Sequence, residues 1–349
     1  MHNFIESYIK KINVHKVGNK SNEENISLSK SNIEIDKDKD INLLLMNYFI
    51  TPFKSSEYFN FYHDIEISMN EVFVCASKIF ENPETLLEQS QNLAKHLYEQ
   101  STHPKIKSGE FYTVYFKDCI IDGETVDAVG LFKSENKDTF LKVFPNKTED
   151  GFEIESEKGI NINKLDKGCL IFNTEKENGY IVAVVDNTNK GIEAQYWLDD
   201  FLHVRQRNDE YFNTKNMMSM CKEFVKNEFS NQFESNAVQR DTIIQDTLNF
   251  LKTKDSFDFE EFTNEVIKQP EVIESFNNFK NTYQEKHDIE FADSFEISDN
   301  AVKKQQRSFK SVIKLDKNFH IYIHGDRKKI QLCEDENGKF YKIYFDKEN

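Results

Sequence analysis

Positive charge is in short supply in this 349-residue chain, where 45 Lys and Arg stand against 61 Asp and Glu for a formal net charge of −16. Duplex DNA repels such a molecule as a whole, which excludes a generally basic nucleic-acid coat protein and requires any DNA contact to be local. Cysteine is sparse as well. Cys75, Cys119, Cys169, Cys221 and Cys333 are odd in number, scattered and never spaced C-x-x-C. Zinc-ribbon and dithiol redox chemistry therefore have no motif, and free thiols in a reducing cytoplasm are expected. No two of the 11 glycines are separated by a single residue, so the dinucleotide fingerprint G-x-G-x-x-G is absent. The phosphate loop G-x-x-x-x-G-K-[ST], the G-x-S-x-G elbow and the H-E-x-x-H zinc helix are missing too. Long apolar runs are also lacking. The richest stretch, 41–53, is interrupted by Asn42, Asn47 and Pro52 and falls short of the ~20 residues that a bilayer crossing needs. Residues 1–20 alternate charge with isolated apolar side chains and do not read as a secretory signal.

Aromatic residues, in contrast, are abundant, with 31 Phe and 14 Tyr supplying the large apolar surfaces that a disordered acidic chain lacks. At ~100–200 residues per domain the length suggests two domains. Four Asx-Gly pairs, at Asp122-Gly123, Asp150-Gly151, Asn178-Gly179 and Asn337-Gly338, tolerate the positive φ of tight hairpins. Reading outward from them places strands near 111–121, 125–133, 139–144, 152–157, 168–173 and 180–186, the last apolar on both faces and suited to a sheet interior. Helices are expected over 69–80 and from Asn82-Pro83 onward, where Leu86, Leu93 and Leu97 share a face.

Beyond residue 203 the texture changes to short amphipathic helices. Their stripes are Met217, Cys221, Phe224 and Val225, then Ala237, Ile244, Leu248 and Leu251, then Val272, Phe276, Phe279 and Tyr283 after Pro270. Asp258 with Glu261 resembles a capping box. Strands near 309–315, 319–324, 330–333 and 340–345 close the chain, while 18–40 and 288–306 read as loops or linkers. The expected fold is α+β, with a mostly antiparallel central sheet and flanking helices, followed by a helical region and a C-terminal β-meander. The expected division is 1–203 for the sheet domain and 204–349 for the helical region and meander.

Charge is unevenly divided along this chain. Residues 1–203 carry −12, 204–302 carry −9 and 330–349 carry −2. Between them, 303–329 holds Lys303, Lys304, Arg307, Lys310, Lys314, Lys317, Arg327, Lys328 and Lys329 against Asp316 and Asp326, a local +7. A basic strand and the basic tip after Gly325 could follow a phosphate backbone. They could equally form a solvated edge whose lysines block sheet-to-sheet association.

Two other constellations carry possible chemistry. His320 and His324 fall on one face of a strand and could give two metal ligands, with Cys333 a distant third, although sheet packing is the favoured reading. Asp127 followed by Glu135-Asn136-Lys137 has the order of some metal-dependent nucleases, an order that arises readily by chance in so charged a chain. Asp186 to Gly191 reads as a polar turn, with a functional role for Asp186 and Asn187 as the less favoured alternative, and Trp197, the single tryptophan, reads as a core anchor rather than a base-stacking platform.

Several segments together look familiar. They are 12–18 (INVHKVG), 48–54 (YFITPFK), 97–110 (LYEQSTHPKIKSGE), 130–135 (GLFKSE), 185–191 (VDNTNKG), 194–197 (AQYW) and 319–324 (FHIYIH). On these the chain resembles the bacterial nucleoid-associated protein family over essentially its whole length. The resemblance implies a cytoplasmic protein that co-localises with the chromosome and binds DNA or nucleoid components, and it assigns no contacting residues. The expected function is therefore non-enzymatic binding of double-stranded DNA through Lys303, Lys304, Arg307, Lys310, Lys314, Arg327, Lys328 and Lys329. No cofactor, metal, catalytic residue or membrane contact is expected. The alternatives are an acidic adaptor recruited by a chromosome-processing protein and, less favoured, the metal-dependent nuclease. A homodimer would add avidity by presenting two basic segments.

Overall fold

The Asx-Gly turns organise the first sheet. A computed structural model describes residues 2–35, 39–145, 151–188, 196–233, 237–309, 312–315, 318–323 and 329–347. Its contacts divide the chain into two units, Met1–Arg207 and Asn208–Asn349. The strands of the first unit are β1 (His2–Asn3), β2 (Tyr8–Val17), β3 (Tyr58–Phe61), β4 (Gly109–Ile121), β5 (Glu124–Ser134), β6 (Asp138–Pro145), β7 (Phe152–Gly159), β8 (Lys167–Phe172), β9 (Ile181–Asp186) and β10 (Val204–Gln206). Eight of them form one antiparallel sheet. Both β1 and β2 pair with β4, and β5, β8, β9, β3 and β10 follow in that order. Asp122 at φ 49° and Gly123 at φ 87° make the tight turn between β4 and β5.

Side-chain alternation gives this sheet two apolar faces. Phe111, Val129, Leu131, Cys169, Ile171 and Val182 face one cluster, and Val114, Phe116, Ala128, Phe132, Leu170 and Phe172 face the other. Helix α1 (Lys39–Ile50) covers the second face with Tyr48 and Phe49. Helices α2 (Glu71–Glu81) and α3 (Leu86–Gln100) cover the first, together with Trp197 and Phe201 from the π-helical segment Tyr196–Leu202. Leu86, Leu93 and Leu97 are all fully buried, and each such side chain contributes about 1.5–3 kcal/mol of hydrophobic stabilisation. Asn70 caps α2 by accepting from the Phe73 N–H at 2.9 Å.

Three expectations need correction. Strand β2 has no counterpart in the sequence reading, because a bulge between Ile9 and Lys11 breaks its period of two. The hairpin β6–β7 stands as its own two-stranded sheet, since β5 already pairs with β8 and leaves the hairpin no place in the ladder. The supposed linker 288–306 contains the strand Ser294–Glu296 and the helix Asp299–Gln305, elements too short to show periodicity.

In the second unit, helices α4 (Glu210–Phe224), α5 (Ala237–Thr253), α6 (Pro270–His287) and α7 (Asp299–Gln305) are joined by shorter turns. Met217, Cys221, Phe224, Leu248, Leu251, Val272 and Phe276 share one core with Phe257, Phe262 and Phe309. Asp258 is the cap foreseen, accepting from the Glu261 N–H at 2.9 Å. Strands β11 (Ser256–Asp258) and β12 (Ser294–Glu296) pair with each other. The C-terminal strands β13 (Val312–Leu315) and β14 (Phe319–Tyr322) pair as one hairpin, and β15 (Ile330–Asp335) and β16 (Gly338–Ile343) as another. The α+β class is as expected, and no described helix is long and apolar enough to cross a membrane.

One buried residue of β2 makes folding pH-dependent. His15 accepts from the Ser29 N–H at Nδ1 (3.0 Å) and bonds the Ser90 hydroxyl at Nε2 (2.9 Å). Ser90 in turn donates to the Leu87 carbonyl, so the neutral ring donates from Nε2 and both nitrogens are satisfied. A second proton would have to enter at Nδ1, directly against an N–H, and burial alone lowers the His15 pKa to about 4. The unfolded chain therefore takes up this proton first as pH falls. The stabilisation is fully present above pH ~6.5 and should be lost on descending towards about 4, up to roughly 2–3 kcal/mol in all. Urea unfolding across that range should show a steeper loss for the parent than for His15→Gln. Parallel curves for the two proteins would refute the assignment.

Candidate nucleic-acid interface

The start of the basic segment lies on a short helix fixed by its own buried face. Ser298 caps α7 through the Ala301 N–H at 3.5 Å, and Ala301 and Val302 are buried, which turns Lys303 and Lys304 outward in the last turn. Cations there are also favoured by the negative end of the helix dipole. Arg307 follows, exposed, in the 3₁₀ turn Gln306–Ser308. The Lys304 ammonium sits 5.7 Å from the centroid of the Tyr211 ring.

The remaining foreseen cations are less informative. The backbone of Lys314 on β13 is in register with His320 on β14. Lys329 forms an exposed ion pair with Asp346. Lys310, Lys317, Arg327 and Lys328 lie outside the described residues.

The structure adds two cations that the sequence reading missed. A groove of about 490 Å³ is lined by Ser219, Lys222, Glu223, Lys226 and Asn227 from α4 and the residues just after it, and by Gln305, Ser308 and Phe309 on the opposite side. Lys222 and Lys226 are four residues apart, so they share a helical face and flank the groove beside the end of α7. Glu223, the one carboxylate of this lining, accepts from Lys286 at 2.7 Å and lies 3.8 Å from His287. Its charge is thus offset within the protein. The i,i+4 lysine spacing was visible in the sequence, but nothing in the sequence connected it with residue 303.

The nuclease constellation does not converge. Asp127 accepts from the Tyr115 hydroxyl at 2.5 Å and pairs with Lys117 at 2.8 Å near the start of β5. Glu135 lies just past the other end of that strand, about 26 Å away at ~3.3 Å per residue. Lys137 pairs with Glu110 at 2.6 Å. His320 is exposed on β14, Cys333 on β15 has its thiol 3.9 Å from the Gln331 carbonyl, and His324 lies outside the described residues. Among the described residues, no three His, Cys, Asp or Glu side chains gather in a way that could hold a metal ion. Trp197 is fully buried in the sheet core, as expected of an anchor.

A family model described as nucleoid-associated protein YejK matches residues 14–347. No curated protein matches the chain.

Proposed function

Because the chain belongs to the nucleoid-associated protein family, we propose that it binds bacterial chromosomal DNA directly and without catalysis, through a local basic surface on its second unit. The carrying observation is that Lys303, Lys304 and Arg307 project from the end of α7 beside a groove bearing Lys222 and Lys226, in a chain of net charge −16. In sequence, Lys310, Lys314, Arg327, Lys328 and Lys329 belong to the same positive window, and the reading includes them. Point cations without a shape-specific pocket suit phosphate contacts that tolerate any sequence. The pair Lys222→Ala and Lys226→Ala is expected to lower the slope of log affinity against log salt by about 1.8, at ~0.9 per contact. Fluorescence anisotropy on duplex DNA across a salt series reads this directly. An unchanged slope would remove the groove from the interface.

The exposed hairpin supports a homodimer as part of the same reading. Leu141, Val143 and Pro145 of β6 stand opposite Ser156, Ile154 and Phe152 of β7, so one face is mostly apolar with Lys158, opposite Thr139, as its one charge, while Lys142 and Glu153, Glu155 and Glu157 occupy the other. Leu141 is 72 % and Phe152 76 % exposed. The face is self-complementary, and a second copy can cover it without bringing carboxylates together, as a two-fold interface requires. Light scattering should report a dimer for the parent and a monomer for Leu141→Asp with Ile154→Asp. A monomeric parent at tens of micromolar would dismiss the interface.

A further inference from the structure

The first unit contains a second polar site, remote in sequence from the basic segment. A cleft of about 690 Å³ opens where β5, β8 and β9 end, with Leu165 as the one hydrophobic side chain in its lining. Cations of the wall are Lys105, Lys107, Lys137 and Lys164; its amide and hydroxyl groups include Asn136, Asn163 and Thr188. Four of the segments that carry the family resemblance meet here. Lys105 and Lys107 come from 97–110, Lys133 and Glu135 from 130–135, Asp186 and Thr188 from 185–191, and Tyr196 from 194–197.

Beneath the wall lie two lysines with no exposed surface, Lys133 and Lys167. Lys133 donates to the Lys107 carbonyl (2.9 Å), the Tyr196 hydroxyl (3.2 Å) and Glu135 (3.0 Å). Tyr196 in turn donates to Glu135 at 2.8 Å. Lys167 donates to Asp186 (2.7 Å) and Thr188 (2.8 Å). The two ammonium groups lie 5.4 and 5.1 Å from the centroid of the Tyr196 ring. Burial draws the Lys133 pKa below the usual lysine value, with Glu135 acting in the opposite direction.

The carboxylates of the wall are already engaged. Glu135 serves Lys133 and Tyr196. Asp166 accepts from the N–H groups of Glu135 (2.6 Å) and Asn136 (2.8 Å) and from the Asn136 amide (2.7 Å). Asp138 holds Asn161 and Lys164. Lys107, in contrast, bonds the neutral amide oxygen of Asn136 at 2.6 Å. Lys137 and Lys164 sit in exposed ion pairs, which are worth about 0–1 kcal/mol and exchange easily for a stronger anion.

We propose that this cleft binds a small phosphate-bearing ligand, either an inorganic oligophosphate or a nucleotide, held by Lys107, Lys137 and Lys164 with Asn163 as a neutral partner. The volume is that of a small-molecule site, and a lining whose residues are polar or charged except Leu165, with four lysines, suits a hydrophilic anion. The rigid Lys133–Glu135 and Lys167–Asp186 pairs hold the ends of three strands in place around it. This inference is independent of the DNA-binding reading.

Isothermal titration calorimetry of the full chain with pyrophosphate, and separately with ATP, tests it at low salt. At least one probe should bind in the millimolar range or tighter. Lys107→Ala combined with Lys164→Ala should weaken that binding at least tenfold with an unchanged unfolding midpoint. Should the double variant prove unstable, Asn163→Asp, which adds only an exposed charge, should produce the same loss. Binding of pyrophosphate alone identifies an oligophosphate ligand, and preference for ATP a nucleotide. Heat from neither probe overturns the proposal, as does equal affinity in parent and variants or an equal response to sulfate. Loss of the signal on neutralising Lys303, Lys304 and Arg307 instead would assign the anion to the second unit and overturn it as well.

Discussion

Replacing Lys303, Lys304, Arg307, Lys310, Lys314, Arg327, Lys328 and Lys329 together by glutamine should abolish measurable duplex binding at physiological salt while leaving the protein folded. Each phosphate contact removes condensed counterions from DNA, and eight contacts at ~0.9 each set a loss of up to ~7 in the salt slope. An interface of that size normally loses about 10³–10⁵ in affinity between ~50 and ~200 mM salt, so its removal is a large effect. Lys329 should contribute less than the others because it pairs with Asp346. Exposed substitutions such as those at Lys303, Lys304 and Arg307 generally alter stability by less than about 0.5 kcal/mol, and the thermal midpoint of the full variant is measured beside its affinity. Were affinity and slope both to survive, nucleoid association would have to pass through a protein partner. Recovery of one specific partner after nuclease treatment would then be the result to look for.

The second large effect lies in the first unit. Lys133→Met should destabilise the protein by about 3–5 kcal/mol, because it leaves Glu135 buried without its cation and removes donors from the Lys107 carbonyl and the Tyr196 hydroxyl. Glu135→Gln alone should also be costly, since it strands the Lys133 ammonium away from water. Combining the two changes removes both charges, and most of the lost stability should return. Denaturant unfolding of the three variants measures this coupling. Simple additivity of the single losses would show that the pair does not act as a unit.

What could be read from the chain differs by element for identifiable reasons. The β4–β5 hairpin was evident because Asp122-Gly123 and the alternation on both sides are local features. Helix α3 was evident because Leu86, Leu93 and Leu97 recur at helical spacing. Strand β2 was hidden by its bulge at Ile9 to Lys11, and the Asp299–Gln305 helix by its two turns of length. The basic segment was conspicuous as a charge imbalance, but Lys222 and Lys226 joined it only through packing that brings residues some 80 positions apart to one groove. Nothing in the sequence marks Lys133 and Lys167 as buried. Their complete burial depends on Glu135, Asp186 and Tyr196 arriving from separate strands and a helical segment.

By itself, then, the sequence determined the α+β class, the main hairpins and helices, the family and the position of the one positive window. All of these depend on spacing, turn chemistry or composition over short stretches. Only the tertiary structure decided that Asp127 and Glu135 stand at opposite ends of a strand, that the strands β6 and β7 present an exposed and mostly apolar face, and that buried lysine pairs support a polar cleft. Those facts depend on which distant residues become neighbours, and burial and electrostatic pairing have no value until the chain has folded.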